Sequence, residues 1–293
     1  MDQHPVTNPP APPAVCYRHP DRPTRLSCTS CGRSICVDCT RQAAVGQKCP
    51  ECAAPAGRNK VVTASEIRNR GALDGAPVVK GTLIVTIAIA VMQFVAPQAW
   101  SVLASLTIDN VAAVDDGQLW RTFTAALLHS GSLYHVGFNM YALYLFGPDL
   151  ERRFGSAPFL IFYIATAAGG GAAFQLTTES GSALGASGAV FGLFGAYVLS
   201  AYLSRHTAAG RAGLNQLLPL LAINLALPLF IPRIAWEAHL GGMLFGALIM
   251  LAWRRIGPTT GGSGTESSTS VTLRRSGVAV GALVLALVIA ALA

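Results

Sequence analysis

Seven long apolar runs constrain what this chain can fold into. They occupy residues 81–100, 133–147, 158–177, 185–203, 214–231, 236–252 and 277–293. Most approach the roughly 17 to 25 residues that a helix needs to cross a hydrocarbon core about 30 Å thick. The chain is 52% hydrophobic and only 12% charged, which is typical of membrane proteins. We therefore predict an all-α polytopic membrane protein with seven transmembrane helices.

Basic residues are distributed unevenly around these runs. If the N-terminus is cytosolic, the cytosolic flanks hold twelve of them: Lys60, Arg68, Arg70, Lys80, Arg152, Arg153, Arg205, Arg211, Arg254, Arg255, Arg274 and Arg275. The opposite loops hold only Arg121 and Arg233. Because short loops rich in Lys and Arg stay in the cytosol, we predict a cytoplasmic N-terminus and a C-terminus outside. This topology also accounts for most of the net charge of +7, so we expect no nucleic-acid partner.

Composition divides the chain into six segments. We expect a disordered Pro-rich tail (1–15), a cysteine-rich domain (16–52), a polar linker (53–79), a membrane core (80–256), a flexible Gly/Ser/Thr linker (257–276) and a final transmembrane helix (277–293). The first residues have neither a basic start nor an apolar stretch, so they predict no signal peptide. Arginine outnumbers lysine, and alanine and glycine are abundant, which favours a bacterial plasma membrane.

All seven cysteines lie between residues 16 and 52, where one histidine completes four spaced pairs. The candidate ligands are Cys16, His19, Cys28, Cys31, Cys36, Cys39, Cys49 and Cys52. Seven cysteines cannot all pair as disulfides, whereas eight ligands make two tetrahedral zinc sites. Four pairs in sequence favour a cross-brace, in which the first and third pairs hold one ion and the others hold the second. A segment this short has almost no core, so we expect zinc to fold it.

The spacing of these pairs resembles that of B-box-type zinc fingers. Because protein side chains fill every coordination position, we expect two structural Zn²⁺ ions and no cofactor for catalysis. Reactive or redox cysteines are the alternative interpretation. A protein partner for this small zinc-binding domain is a further hypothesis.

Four polar residues lie within the apolar runs near the outer face, where lipid offers no hydrogen bonds. They are His135, Asn139, Ser187 and His239. Taken singly, each has a structural interpretation, since a serine in a glycine-rich helix packs closely and a histidine bonds to a neighbouring helix. Together they indicate a functional site, because polar groups at this depth are costly.

The predicted topology places Ser187 and His239 in the first turns of two helices that enter the membrane from the same side. A serine nucleophile and its general base require such a placement. Glycines line one side of each of these helices: Gly188, Gly192, Gly195, Gly242 and Gly246. Facing stripes without side chains allow the close approach that a hydroxyl–imidazole hydrogen bond needs.

Five stretches resemble the rhomboid family of intramembrane serine proteases, in the order in which that family has them. They are WR (120–121), HSGSLYHVGFNM (129–140), GPDLERRFG (147–155), GASGAVFG (185–192) and AHLGGMLFG (238–246). The resemblance implies a six-helix rhomboid core, here extended by a C-terminal seventh transmembrane helix. It also implies Ser187 as nucleophile and His239 as its base, with His135 and Asn139 supporting the oxyanion.

The chemistry that this resemblance implies is peptide-bond hydrolysis by a Ser–His dyad. Neutral His239 would take the Ser187 proton, and the two oxyanion residues and the amide at the helix N-terminus would hold the developing charge. We expect no third member, because Glu237 lies on the other face of its helix and Asp149 lies at the cytosolic end of its span. The implied partners are transmembrane protein substrates in the lipid bilayer, cut near their outer ends.

Two other functions are alternatives. A non-catalytic rhomboid-like pseudoprotease would bind membrane proteins without cutting them, but such relatives are expected to lack the serine or the histidine, and this chain keeps both. A transporter would also use glycine-rich helices with polar groups, yet the sequence shows no inverted repeat. We therefore favour the protease.

Overall fold

The computed structural model describes residues 14–43, 46–53, 71–107, 109–129, 133–226, 230, 234–256 and 268–293. Contacts within the chain divide it into two compact units, Met1–Arg70 and Gly71–Ala293. Almost all of the predicted Pro-rich tail (1–15) and most of the predicted linker (53–79) lie outside the described residues.

The first unit consists of short strands and turns around its cysteines. Its elements are β1 (Val15–Cys16), β2 (His19–Pro23), a 3₁₀ turn (Val37–Cys39), β3 (Arg41–Gln42), β4 (Gln47–Lys48) and α1 (Pro50–Ala53). β1 pairs with β2 and β3 pairs with β4, both antiparallel. The buried cluster consists of Ile35 and five cysteines. Hydrophobic burial alone therefore contributes little to the stability of this unit.

The second unit is a helical bundle. Its helices are α2 (Pro77–Val95), α3 (Pro97–Thr107), α4 (Val111–Asp115), α5 (Arg121–Thr124), α6 (Leu133–Phe154), α7 (Ser156–Thr177), α8 (Ser187–Leu203), α9 (Ala208–Ala226), α10 (Trp236–Trp253) and α11 (Ser268–Leu292). A short antiparallel pair, β5 (Asp109–Asn110) and β6 (Ser182–Ala183), joins the connection after α3 to the one before α8. Helix α7 is the most buried and contacts α8, α10 and α11.

The long helices of the described chain correspond to the seven apolar runs. Four of them are long and apolar enough to cross a membrane: Pro77–Val95, Ser156–Thr177, Trp236–Trp253 and Thr269–Leu292. Helix α8 is apolar but shorter, with 17 residues. The prediction of an all-α membrane protein with a small N-terminal Cys/His domain is confirmed, whereas a count of seven spans stays a prediction.

The first two apolar runs differ in extent from the helices that they form. The first run continues to residue 100, but α2 ends at Val95 and Pro97 begins α3. Proline lacks the N–H that would continue the preceding helix, which explains the break. The second run ends at residue 147, whereas α6 continues to Phe154 and includes charged residues of its last turns.

The last helix begins at Ser268 and not at residue 277. The predicted flexible linker (257–276) is therefore wrong from residue 268 onward, and its earlier part lies outside the described residues. The indole N–H of Trp253 donates to the carbonyl oxygen of Arg275 at 2.9 Å. This contact holds the polar first turns of α11 against the end of α10, and nothing in the local composition signals it.

Helices α8 and α10 cross with their backbones in direct contact. A Cβ atom added to Gly242 would lie 2.0 Å from the carbonyl oxygen of Gly188. One added to Gly246 would lie 2.0 Å from the carbonyl oxygen of Gly192. A side chain does not fit at either position, so the glycine stripes bring the two helices together as the sequence predicts.

A buried carboxylate joins three helices at the end of the bundle away from Ser187. Glu151 of α6 accepts hydrogen bonds from the N–H groups of Val78 at 2.9 Å and Val79 at 2.8 Å, in the first turn of α2. It also accepts one from the hydroxyl of Ser156, at the start of α7, at 2.6 Å. First-turn N–H groups have no partner within their own helix, so this carboxylate satisfies them.

We expect Gly246→Ala to destabilise the bundle, because the added methyl group would overlap the Gly192 carbonyl. Overpacking of this kind typically costs about 1–3 kcal/mol. Gly281→Ala is the matched control, since among the described residues nothing lies within 4 Å of a Cβ atom added to this helical glycine. Thermal unfolding of the purified protein in detergent measures both changes. A Gly246 variant as stable as the wild type would contradict the close crossing.

Candidate functional site

Ser187 is the first residue of α8 and follows a sharp turn. Gly185 in that turn has a φ of +126°, a conformation that residues with side chains rarely adopt. A Cβ atom at Gly185 would also lie 2.7 Å from Nε2 of His135. The turn therefore requires glycine for two reasons. It places the serine at a helix N-terminus, where backbone N–H groups lack partners within the helix.

His239 lies in the first turn of α10 and is buried. Its ring stacks on that of Phe191, with centroids 4.2 Å apart and planes inclined by 9°. Phe191 lies one turn after Ser187 on α8, so the stacking holds the imidazole against the helix that carries the serine. Within the described residues, Nδ1 of His239 has no hydrogen-bond partner. Ring stacking is thus the contact that orients this histidine.

The backbones beside Ser187 and His239 are in contact. A Cβ atom on Gly188 would lie 3.6 Å from the carbonyl oxygen of Ala238, and one on Gly170 of α7 would lie 2.7 Å from it. In the part of the chain that the structure describes, no hydrogen bond joins the Ser187 hydroxyl to the His239 imidazole. Such bonds are often long before a substrate binds. The fold brings the starts of the two helices together, but the hydrogen bond between the two side chains is not formed in the part of the chain that the structure describes.

The two predicted oxyanion residues lie one turn apart on α6. The His135 ring reaches the Gly185 turn, as the short distance to its Nε2 shows. The buried Asn139 amide donates to the carbonyl oxygen of His135 at 2.8 Å, within its own helix. Among the described residues, no hydrogen bond joins Asn139 to Ser187. Because an amide nitrogen carries two N–H groups, one donor of Asn139 is left for another acceptor.

His129 belongs to the site although it is not among the residues that the sequence predicts for it. It is 1% exposed, and its Nε2 accepts the N–H of Ala186, the residue before Ser187, at 3.4 Å. Its ring also meets that of His135 edge-on, with centroids 5.0 Å apart. His129 precedes the apolar run at 133–147, so a search for polar groups inside the runs misses it. The available signal was its place at the head of HSGSLYHVGFNM.

A small cavity of about 40 Å³ opens beside Ser187. Its wall includes Ala238, Asp109 and Thr122. Asp109 is 2% exposed and accepts a hydrogen bond from the amide of Gln175 at 2.6 Å. The sequence gives no signal for Asp109, because this residue lies in a long connection between helices, where an acidic residue is ordinarily solvated.

The cysteine-rich unit contains two groups of four ligand side chains. They are Cys16, His19, Cys36 and Cys39 in one group, and Cys28, Cys31, Cys49 and Cys52 in the other. Nδ1 of His19 lies 3.4 Å from Sγ of Cys36, and Sγ of Cys31 lies 3.8 Å from Sγ of Cys49. Tetrahedral Zn–S bonds of about 2.3 Å place ligand atoms roughly 3.5 to 3.8 Å apart. The donor sets fit zinc, in the cross-brace grouping that the sequence predicts.

The thiols of the second group also favour a bound cation. Backbone N–H groups, that of Cys49 foremost, lower the pKa of the Cys28 thiol to about 6. Hydrogen bonding with Cys49 and Cys31 raises the pKa of Cys52 to about 12, because neighbouring sulfur atoms compete for the ionised state. A divalent cation removes this competition, since it stabilises all of the thiolates together.

Comparison with known protein families agrees with both units. A model of the Rhomboid domain matches residues 116–256, which include Ser187 and His239. A model of the B-box zinc finger matches residues 11–43. The B-box match ends before Cys49 and Cys52. The assignment of these two cysteines as metal ligands therefore depends on their position in the second group of four.

Three relatives show how much of the chain is shared. RHOMBOID-like protein 1 of Arabidopsis thaliana is 37% identical over 154 residues, which are 50% of this chain and 39% of that protein. The putative rhomboid protease YdcA of Bacillus subtilis is 36% identical over 137 residues, 46% of this chain and 68% of that protein. Rhomboid protease GlpG of Haemophilus influenzae is 30% identical over 135 residues, 45% of this chain and 69% of that protein.

The extent of these matches differs between the relatives. The chain spans less than half the length of the plant protein and slightly more than two thirds of the length of each bacterial one. The residues that the Rhomboid-domain model matches contain the helices that carry the serine and the histidine. With the family model matched and more than two thirds of the Bacillus protein covered at 36% identity, this chain belongs to the rhomboid family.

Proposed function

We propose that this chain is an intramembrane serine endopeptidase that cleaves transmembrane helices near the outer face by a Ser187–His239 dyad. One observation carries the proposal: the serine at the start of α8 and the buried histidine in the first turn of α10 lie on helices in backbone contact, beside a small cavity. The bacterial relatives named as rhomboid proteases support it.

Nε2 of His239 is the base in this mechanism, since Nδ1 is buried. It takes the hydroxyl proton of Ser187 while Oγ forms a bond to the carbonyl carbon of the substrate. The imidazolium then gives the proton to the leaving amine as the C–N bond breaks. A water molecule hydrolyses the resulting ester with the same histidine as base. Stacking on Phe191 keeps the ring in place for both transfers.

The oxyanion of the tetrahedral intermediate would form next to the N-terminus of α8. Its first-turn N–H groups carry the positive end of the helix dipole, which favours negative charge there. His135 at the Gly185 turn offers a side-chain donor, and the second N–H of Asn139 offers another. His129 positions the chain, because its bond to the Ala186 N–H holds the residue before the nucleophile.

The membrane placement is part of the proposal. A cytoplasmic N-terminus and an outer C-terminus, in a bacterial plasma membrane, are supported by the excess of basic residues on one side of the apolar runs. The substrates are then transmembrane proteins of the same bilayer. Reporter fusions at the two ends test this topology, and two ends on the same side would contradict it.

A second function is favoured by one observation. Among the described residues, Ser187 and His239 are not hydrogen-bonded to each other. A rhomboid pseudoprotease that binds transmembrane helices without cutting them needs no such bond. This alternative predicts a wild-type protein that binds a transmembrane substrate and leaves it intact, so the same cleavage assay separates the two functions.

We also propose that each Cys/His group holds one structural Zn²⁺ ion. Protein side chains supply all four positions of each site, which leaves none for water or substrate. The ions would supply the stability that a buried cluster made almost entirely of cysteines does not. The dyad chemistry itself needs no metal. We expect this unit to bind a protein partner, and its chemistry calls for no nucleic acid.

Ser187→Ala and His239→Ala should each abolish cleavage of a model transmembrane substrate in liposomes. We expect the rate to fall roughly 10³-fold or more, and the double variant to be about as inactive as either single one, because the pair acts as a unit. Ser200→Ala on the same helix and His206→Ala at an exposed position are matched controls that should cleave normally. Normal cleavage by either site variant, with unchanged thermal unfolding, would exclude the dyad.

Asn139→Ala distinguishes an oxyanion donor from a packing residue. As a donor, Asn139 should affect kcat by about 10²-fold with little change in melting temperature. As a packing residue, its loss should cost on the order of 1 kcal/mol of stability and leave turnover normal. Asn224→Ala is the matched control, because Asn224 makes the same in-helix bond, to the carbonyl of Leu220 at 2.8 Å, on α9.

His135→Ala and the double variant with Asn139→Ala should be measured in the same assay, because either side chain can compensate for the loss of the other. We expect the double variant to be slower than both single variants. Normal turnover in all three folded proteins would remove both side chains from the site and leave the backbone as the oxyanion donor.

The purified full-length chain should contain two zinc ions, and a chelator should unfold the cysteine-rich unit. We expect Cys36→Ser and Cys28→Ser to retain at most one ion each, because each removes a ligand from a different group. Ser30→Ala, an exposed change between two ligands, is the control that should retain both. Metal analysis and circular dichroism provide the readouts, and a wild type with one ion or none refutes the two-site arrangement.

A further inference from the structure

Arginines gather at the end of the bundle away from Ser187, where three helices meet. Two lie in the last turn of α6, two follow α10 and two lie in the second turn of α11: Arg152, Arg153, Arg254, Arg255, Arg274 and Arg275. We call these six residues the arginine cluster. The end of a helix favours basic residues, which accounts for those of α6 and α10 but not for those of α11. The proposed dyad mechanism uses none of them.

Aromatic side chains join the three helix ends that carry the cluster. The ring of Phe154, the last residue of α6, lies with its centroid 4.6 Å from that of Trp253, the last residue of α10. The indole N–H of Trp253 donates to the carbonyl oxygen of Arg275 in α11 at 2.9 Å. The arginines are sequence neighbours of these contact residues, so the packing of the helix ends brings their charges to one place.

Two of these charges, from different helices, are held close together. The guanidinium carbon of Arg153 lies 5.4 Å from the centroid of the Phe154 ring, and that of Arg275 lies 5.0 Å from the same centroid. The two charges are therefore no more than roughly 10 Å apart, which is about the Debye length at 0.1 M salt. Arg275 is also only 4% exposed, so little solvent screens its charge. An anion beside both groups would offset their repulsion.

The acidic residues of α6 near the cluster already have hydrogen-bond donors. Glu151 accepts hydrogen bonds from two N–H groups of α2 and from a serine hydroxyl of α7, and Asp149 accepts one from a tyrosine hydroxyl of α8 at 3.1 Å. Neither α11 nor the second half of α10 contains an acidic residue. Within the described part of the second unit, no salt bridge involves the exposed side chains of Arg153, Arg254 and Arg255. These three arginines can therefore bind an anion from outside the chain.

Exposed leucines beside the cluster indicate that this anion is part of a lipid. Leu248 and Leu251 of α10 lie two turns and one turn before Arg255, and they are 49% and 39% exposed. Leu273 of α11, next to Arg274, is 67% exposed. In a bilayer such side chains face acyl chains, so a headgroup that reaches the arginines has its own acyl chains alongside the leucines. Guanidinium groups bind phosphate oxygens with paired N–H donors, and basic pockets between membrane helices bind acidic headgroups.

We propose that the arginine cluster binds the phosphodiester group of an anionic glycerophospholipid such as phosphatidylglycerol. Arg153, Arg254 and Arg255 donate hydrogen bonds to the phosphate oxygens, and the negative charge offsets the repulsion between Arg153 and Arg275. Because these two residues belong to α6 and α11, the bound lipid stabilises the attachment of the last helix to the core. This site goes beyond the proposed protease function and does not depend on it.

The test compares phosphatidylglycerol with phosphatidylcholine of the same acyl chains, each added to the purified full-length protein in detergent. Native mass spectrometry measures the affinity for each lipid, and thermal unfolding measures the stabilisation. The wild type should bind phosphatidylglycerol about tenfold or more tightly than phosphatidylcholine, and only the former should raise its melting temperature. The double variant Arg153→Gln with Arg255→Gln should lose about tenfold or more of the affinity for phosphatidylglycerol, together with most of the stabilisation.

Arg205→Gln with Arg211→Gln is the matched control, because it removes the same charge from exposed side chains between α8 and α9, at the same end of the bundle. This control should bind phosphatidylglycerol as the wild type does. Equal affinities of the wild type for the two lipids, or equal losses in the two double variants, would overturn the site. Inorganic phosphate should leave the melting temperature unchanged, and a rise as large as that with phosphatidylglycerol would assign the cluster to a free anion instead.

If thermal unfolding shows that the double variant of the cluster does not fold, Arg255→Gln alone decides. In the part of the chain that the structure describes, the exposed Arg255 side chain makes no hydrogen bond, ion pair or ring contact, so its loss leaves the packing intact. This variant should bind phosphatidylglycerol at least about threefold more weakly than the wild type. An unchanged affinity would overturn the proposal.

Discussion

The close crossing of α8 and α10 is the constraint on which the rest of the structure depends. At Gly242 and Gly246 no side chain fits between one helix and the carbonyl oxygens of the other. Because Ser187 begins the first helix and His239 lies in the first turn of the second, the crossing determines where the two side chains meet. Gly170 of α7 lies against the same backbone segments, so α7, α8 and α10 are all in contact beside Ser187 and His239.

Around this crossing, several buried polar groups gather at the end of the bundle that carries Ser187. His129 and His135 pack at the turn before α8, and Asp109 reaches the same end through the β5–β6 pair. The two histidines lie at the turn that leads into α8, and the crossing with α10 holds the start of that helix in place. Asp109 lies on β5, which is held by its pairing with β6. The cysteine-rich unit follows different physics, because its buried cluster is made of ligand atoms and its stability would come from metal coordination.

The sequence predicts the parts of the site that depend on local spacing. Ser187 and His239 stand out because glycines recur at helical intervals beside them. The order of the four Cys/His pairs predicts which two pairs share each metal ion. Contacts between distant segments are not readable in this way. Asp109 reaches the cavity only through pairing with a strand far along the chain. Asn139 was predicted as a site residue from its polar side chain within an apolar run and from the family resemblance, whereas its hydrogen bond to the carbonyl oxygen of His135 within its own helix was not predicted.

Covalent labelling of Ser187 by a serine-reactive phosphonate tests the central claim most directly, because it reports the nucleophile without a natural substrate. Full-length wild type and His239→Ala would be treated in liposomes, and the labelled serine identified by mass spectrometry. We predict a label on Ser187 in the wild type that forms far more slowly without the histidine, since no base then takes the hydroxyl proton. Equal labelling rates in the two proteins, or a label on other serines and none on Ser187, would contradict the dyad.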